Sequence, residues 1–330
     1  MKDRLHAMGL TTRNIRRIFG SRLVEILLFP LLLIAGFVML YVRLIGMKQL
    51  KISKWLFMKI GIMPIRNHYY EPLIDGKQLS RPCNQARSLP GIDWNVEGQR
   101  ALLETLTFAE EMRSIPSQRT DDSAYYFGND AFDAGDAEFW YNLIRAKKPK
   151  RIIEIGSGHS TKMARLAIAA NEKEQQDYSC HHICIEPYEM PWLEKIGVEV
   201  NRKRVEEVDP QLFTTLQAND ILFIDSSHMI RPQGDVLFEY LQLLPTLPQG
   251  VIVHIHDIFS PFDYPEWMTE DLLLWNEQYL LEAFLTENKQ WSIIAALHFL
   301  HANDFNALQK VCPRINKNTQ PGSFYMVKNK

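Results

Sequence analysis

Four short apolar runs in this chain stop at residues able to hold or move a proton. "RIIEI" (151–155) contains Glu154 and breaks at Gly156-Ser157-Gly158, and "HHICIE" (181–186) ends on Glu186. "DILFID" (220–225) ends on Asp225, with His228 three residues further, and "GVIVHIHDI" (250–258) delivers His256 and Asp257. A carboxylate accepts hydrogen bonds or binds a cation, and an imidazole titrates near neutrality. Such groups serve ribose recognition, metal ligation or general acid–base work. Any one of these acids could merely cap the helix that follows it. Their recurrence at four strand ends argues for a shared crevice, because ligands of open α/β sheets gather at the carboxyl ends of the strands.

The elements that would position these groups follow from hydrophobic periodicity. After Pro149, strand patterns (151–155, 181–186, 220–225, 250–258) alternate with helical ones (160–171, 234–244 and about 266–287). Shorter elements fall between them: "MPWLEKIG", the weaker strand "VEVNRKR", and "DPQLFTTL", started by Asp209-Pro210. "WSIIAALHFL" and "GSFYMVK" close the chain as two strands. This rhythm predicts a doubly wound α/β fold, a mostly parallel sheet wrapped on both faces. Upstream, 93–112 reads as an amphipathic helix and 136–148 as another, ended by Pro149. There is no internal repeat.

Of 330 residues 46% are hydrophobic, and the net charge is −2, which removes the bulk electrostatic case for nucleic acid. Four cysteines make no disulfide framework, and the spacing of "CHHIC" (180–184) matches no common zinc module. The outlier is 26–42, "ILLFPLLLIAGFVMLYV", uncharged and apolar on every face, with Pro30 as its one breaker. At about 1.5 Å per residue it reaches the short end of a membrane span. Six Lys/Arg precede it and six follow by Arg66, so charge counting sets no orientation, and Pro30 leaves a re-entrant hairpin open. "LKISKWLFMKIGIM" (50–63) mixes lysines with large apolar residues in the manner of an interfacial helix.

A glycine turn after a strand serves dinucleotide and nucleoside cofactors alike. A dinucleotide site calls for glycine at 161, which is Thr161, and for an acid about twenty residues on, whereas Glu186 follows Gly158 by twenty-eight. No Gly-Lys-Ser/Thr follows for a nucleotide phosphate. What remains is a cofactor without pyrophosphate, whose two ribose hydroxyls Glu186 can accept.

On "EIGSGHST", "CIEP", "NDILFIDSSH" and "VIVHIHDIFSPFDYP", with "FGNDAFDAGDAEFWYNLIR" before the sheet and "GSFYMVK" at its end, the sequence resembles class I S-adenosylmethionine-dependent methyltransferases. The subgroup it is similar to is related to metal-dependent sugar O-methyltransferases, and the resemblance spans about 62–328. It implies a seven-stranded Rossmann-like sheet and leaves the membrane segment outside; with the N-terminal composition the expected organisation is a basic arm (1–22), a membrane helix (23–47), an interfacial helix, linker and helical cap (48–120), and the methyltransferase domain (121–330). Glu154, Gly156 and Gly158 would lie beside the methionine part of S-adenosylmethionine, with Ser160 and Thr161 close by and Glu186 on the ribose. Asp225 would bind a divalent metal, and His228 would be the general base. His256 and Asp257 could complete the metal site with Asp225. Related enzymes place two adjacent acids where this chain has His-Asp, which leaves open whether His256 moves the preference from magnesium toward Mn, Fe or Zn or faces elsewhere. His254 reads as a packed or supporting histidine. Phe262, Tyr264 and Trp267 could stack on a sugar or pack on a neighbouring helix.

The resulting expectation is an O-methyltransferase acting on a saccharide or glycolipid hydroxyl near the membrane. Its catalytic domain would face the cytoplasm, because S-adenosylmethionine is cytosolic. Self-association stays open. The competing classes are a Rossmann-like oxidoreductase or hydroxylase, against which the missing third glycine speaks, and a membrane-bound scaffold without turnover.

Overall fold

The computed structural model describes residues 22–73 and 76–329. The expected basic arm therefore lies, but for Arg22, outside the described residues. The chain divides into two compact units, one ending at Gln78 and the other running from Leu79 onward.

In the first unit, helix α1 spans Arg22–Ile45. It runs through Pro30 without a break. Proline removes a single backbone donor, and the other turns of a 24-residue helix retain theirs. Its apolar side chains point outward: Leu27, Phe29, Leu31, Ile34, Phe37 and Leu44 are all exposed. Val24–Ile45 has a mean hydropathy of 2.4, and at about 1.5 Å per residue it is long enough to cross a hydrocarbon layer about 30 Å thick. Helix α2, Lys51–Ile60, has no buried residue and ends at Gly61, whose left-handed backbone lets its N–H reach the Phe57 carbonyl. Ile52, Trp55, Leu56 and Met58 are exposed between Lys51, Lys54 and Lys59.

The second unit is built on a seven-stranded sheet. Its strands are β1 (Arg151–Ile155), β2 (His181–Ile185), β3 (Glu199–Asn201), β4 (Ile221–Ile224), β5 (Ile252–Ile255), β6 (Trp291–Ala296) and β7 (Phe324–Lys328). The order is β3-β2-β1-β4-β5-β7-β6, parallel except for β7, which runs antiparallel to both of its neighbours. Both faces are buried, hence the nearly unbroken apolar runs. Ile153, Ile183, Leu222 and Val253 enter one core layer, whereas Ile152, Ile221, Phe223 and Ile252 enter the other with Phe139, Trp140 and Met163. Register then decides the site. Ile155 pairs with Ile185 and Ile224, and Ile224 pairs with Ile255. The next residue of each strand, Gly156, Glu186, Asp225 and His256, therefore stands at a common level.

Helices α3 (Val96–Thr105), α4 (Asp136–Lys147), α5 (His159–Glu174), α6 (Asp235–Phe238), α7 (Glu266–Glu270), α8 (Glu277–Leu285), α9 (Leu297–Asn303) and α10 (Phe305–Val311) flank the sheet. Residues 79–120, grouped above with the linker, belong to this unit: Leu103, Leu106 and Met112 join the core around Phe139, and Gln99 accepts the Ala296 N–H. Several expected elements come out shorter. The 93–112 helix ends at Thr105, after which a 3-10 turn takes over at Ala109–Ser114. The pattern 291–300 is strand only to Ala296 and then helix, since Leu297 and Leu300 turn inward. The long helix expected over 266–287 is two helices, α7 and α8, separated by 271–276, where Leu272 takes a left-handed backbone and the Asn276 and Glu277 N–H groups are drawn to the His228 carbonyl.

Candidate active site

The site has two halves that meet at the tips of β1 and β4. The first is the turn Gly156-Ser157-Gly158. Gly156 has φ +80°, and a Cβ there would lie 2.1 Å from the Asp225 carbonyl oxygen, so no larger residue fits. Gly158 differs: a Cβ would meet nothing within 4 Å. Packing does not demand glycine there, and its bareness leaves room beside the backbone. The Gly158 N–H donates to Thr161 Oγ1 at 3.0 Å, which fixes the entry into α5. Beneath the turn, Glu186 accepts the Ser157 N–H at 3.2 Å and the Tyr188 N–H at 2.8 Å, one on each carboxylate oxygen. Each oxygen keeps a lone pair for a further donor.

Glu154, Ser160 and Thr161 are placed differently from Gly158 and Glu186. The Glu154 carboxylate is fully buried, accepts from Ser160 Oγ, and lies 3.1 Å from His182 Nε2 and 3.6 Å from Cys184 Sγ. Burial, with the Glu154 charge beside it, pushes the Cys184 thiol up, so it stays a protonated donor. Ser160 and Thr161 are likewise turned inward. These three side chains brace the turn from below, because residues 152, 154, 182 and 184 share the face covered by α5.

In the second half, two carboxylates and two imidazoles converge. Asp225 follows β4 directly, held by its N–H on the Ile155 carbonyl. His228 Nε2 lies 3.3 Å from Asp225 Oδ1 and 3.6 Å from Asp257 Oδ2, while its Nδ1 lies 2.8 Å from Glu277 Oε2. His256 Nδ1 lies 3.5 Å from Asp225 Oδ1 and 3.6 Å from Asp257 Oδ2. Its other nitrogen faces Asp136 at 3.7 Å, and Asp136 in turn accepts the Gly322 and Ser323 N–H groups. Both His228 and Asp257 have left-handed backbones, at φ +57°. Non-glycine residues held there concentrate at functional sites.

The charges are strongly coupled. Burial opposes protonation of both rings, but Asp225 and Glu277 raise His228, and Asp257, Asp225 and Asp136 raise His256. Burial likewise opposes ionisation of Asp225, yet His256 and His228 pull its carboxyl below the usual range. Burial pushes Asp257 the other way.

These residues fit a divalent cation. Asp225, His228 and Asp257 each present a ligand atom within 4.8 Å of the others. The buried His256 Nδ1 is aimed at the same two carboxylates and has no hydrogen-bond partner. The expected ligand trio Asp225, His256 and Asp257 thus comes together, with the expected base His228 in the same cluster. A nitrogen donor, His256, beside two carboxylates suits Mn, Fe or Zn better than magnesium.

A cavity of about 700 Å³ opens over this cluster, lined also by Asp130 and Asp133 from the segment before α4, by Asp136 at its first residue, and by Trp267 and Trp275. Among the described residues that line it there is no lysine or arginine. Of the aromatics expected to cover a substrate, Trp267 does line the cavity. Tyr264 is buried and accepts the Gln278 N–H, and Phe262 packs on His298. His254 is packed, stacked on Tyr325 at 4.1 Å and hydrogen-bonded to Ser323. Sequence reading missed Trp275, Glu277 and Asp136. The first two sit in a stretch whose pattern suggested an uninterrupted helix, and Asp136 looked like a simple helix-start acid.

Residues 153–258, the part of the chain that carries both halves, match a family model described as a methyltransferase domain. This part of the chain is similar to methyltransferase domains. An uncharacterized protein of Archaeoglobus fulgidus is 29% identical over 167 residues, which cover 47% of this chain and 74% of that protein. Among solved structures, the O-methyltransferase TomG from Streptomyces achromogenes is 15% identical with a TM-score of 0.37, covering 69% of this chain and 89% of its own. An O-methyltransferase from Bacillus cereus is 12% identical with a TM-score of 0.35, covering 70% and 90%. The match supports the methyltransferase reading over the oxidoreductase alternative. Within the domain, the turn at Gly156 and the Asp225 carbonyl bring the two halves into direct contact.

Proposed function

We propose that this methyltransferase uses S-adenosylmethionine to methylate a hydroxyl of a saccharide or glycolipid acceptor at a membrane. The observation that carries this reading is the convergence of His228 Nε2 with Asp225 and Asp257 at strand tips that directly adjoin the glycine turn. Gly158 offers space beside its backbone, and Glu186 keeps acceptor capacity for two ribose hydroxyls. In the cavity, Trp267 and Trp275 suit the apolar face of a sugar, and its carboxylates suit the hydroxyls. The acidic lining disfavours an acceptor bearing phosphate or carboxylate near the reacting hydroxyl.

In the transfer, the acceptor oxygen attacks the methyl carbon in line with the departing sulfur. A C–O bond forms, the C–S bond breaks, sulfur keeps the electron pair, and the hydroxyl proton passes to His228 Nε2. Glu277 stabilises the imidazolium so formed through Nδ1. Asp225, Asp257 and His256 would hold a divalent cation, whose charge would supply electrostatic stabilisation of the alkoxide and offset the pull of the two carboxylates on the His228 proton. Alignment supplies much of the remaining rate, because the methyl donor is already activated.

Helix α1 supports anchoring, and α2, with lysines among exposed apolar residues, supports a position in the headgroup layer. A tethered enzyme meets lipid-linked acceptors at raised local concentration. The catalytic unit then faces the cytoplasm, where its methyl donor is. The test is transfer of labelled methyl from S-adenosylmethionine into membrane glycolipid and polysaccharide fractions, with and without chelator. Label in the glycan fractions, reduced by chelator, is the expected result; label confined to protein or nucleic acid refutes the acceptor class.

A further inference from the structure

His228 is held by more than its strand-end position. Its Nδ1 lies 2.8 Å from Glu277 Oε2, and the other oxygen of that carboxylate accepts the Tyr240 hydroxyl at 3.0 Å. Glu277 is fully buried, and both of its oxygens are engaged. The backbone closes the same contact from the other side: the His228 carbonyl accepts the Asn276 and Glu277 N–H groups at 3.0 and 3.2 Å. Trp275, in the break between α7 and α8, covers the ring at 4.4 Å between centroids. Tyr240 sits in a single π-turn, Glu239–Leu243, of the kind that re-aims side chains at functional sites. One segment, 275–277, therefore encloses the imidazole, and a second, the π-turn, braces it through Glu277.

We propose that Glu277, itself oriented by Tyr240, is the positioning residue of the reaction. It keeps the His228 proton on Nδ1 and turns the Nε2 lone pair into the gap between Asp225 and Asp257. A carboxylate accepts but does not donate, so it selects the tautomer that carries hydrogen on Nδ1. An amide in its place can donate to Nδ1 and stabilise the opposite tautomer, which carries its proton on Nε2 and cannot take another there. The inference rests on His228 acting as base, and its experiment separates the two claims.

The experiment uses the full chain in detergent micelles, with histidine labelled by nitrogen-15. In the wild-type protein a downfield Nδ1–H resonance assigned to His228 by its loss in His228→Asn is expected. It should shift upfield or vanish in Glu277→Gln and weaken in Tyr240→Phe. In the labelled-methyl assay on membrane glycolipid extract, Glu277→Gln should lower kcat by about 100-fold or more, the scale of what general acid–base catalysis contributes. The Kd for S-adenosylmethionine should stay within about twofold, since Glu277 stands apart from the turn. Unfolding of Glu277→Gln would leave Tyr240→Phe and the wild-type resonance to decide. A resonance indifferent to both substitutions, or kcat within about threefold of wild type in both variants, overturns the proposal. A wild-type enzyme that transfers no methyl overturns the functional reading alone, and the resonance still tests the Glu277 contact.

Discussion

Gly156 packs so closely against Asp225 that a Cβ on the glycine would lie 2.1 Å from the Asp225 carbonyl oxygen. The contact ties the proposed cofactor turn to the proposed catalytic loop. The neighbouring Gly158 has nothing within 4 Å of its missing Cβ. The two glycines thus separate what the fold needs from what a ligand needs. Gly156→Ala should lower stability by about 2 kcal/mol or more through backbone strain and overpacking, read as a fall in Tm. Gly158→Ala should leave Tm nearly unchanged and weaken S-adenosylmethionine binding, read by calorimetry. An unaltered Kd in Gly158→Ala would remove this turn from the cofactor site.

Glu186 supports its turn through Ser157 and Tyr188 while retaining two acceptor positions. Glu186→Ala should weaken S-adenosylmethionine binding by about 10-fold or more, the range expected when hydrogen bonds to a charged group are lost. Transfer at saturating cofactor should suffer much less. A Kd equal to that of the wild type would refute the ribose assignment.

Removal of the proposed base separates binding from chemistry. His228→Ala should abolish methyl transfer while cofactor affinity stays nearly constant, and Asp257→Asn should weaken binding of Mn²⁺ measured directly by calorimetry. Turnover at the wild-type rate in His228→Ala would take that residue out of the mechanism.

His298 lies against the rings of Phe259 and Phe262, where burial, aided by His301, pushes it down to about 4. In the unfolded chain the same group titrates near 6.5, so between these values the unfolded state binds more protons. Stability is therefore fully present above about pH 6.5 and declines as pH falls toward 4, by at most about 1.4 kcal/mol per pH unit from this group. His298→Gln should flatten the acid side of a plot of Tm against pH; an unchanged slope between pH 6.5 and 4.5 would contradict the assignment.

Helix α1 offers a test of anchoring. Ile34, near its middle, is 62% exposed. Ile34→Arg places a charge where insertion is disfavoured by about 2.5–3.5 kcal/mol. Full-length protein should shift from the membrane pellet toward the soluble or aggregated fraction after carbonate washing. Equal recovery in the pellet would argue against a spanning helix.

The strand tips were legible in the sequence because each apolar run is short, is buried on both faces and ends abruptly at Gly156, Glu186, Asp225 or His256. So was α1, since an uncharged run apolar on every face needs no partner to be recognised. Local pattern says nothing of how far one strand slides along the next, and the register that levels those four tips came only from the sheet. Nor could periodicity reveal that the stretch after α7 breaks: its apolar residues fit a helix, but the His228 carbonyl and ring capture Asn276, Glu277 and Trp275 instead. The division of labour inside "EIGSGHST" was decided the same way. Glu154 faces Ser160 and a buried histidine and cysteine on the sheet, while Gly158 and Glu186 keep room and acceptor capacity for a ligand. Sequence fixes which groups can do chemistry; long-range packing, which closes loops remote along the chain, decides which of them meet.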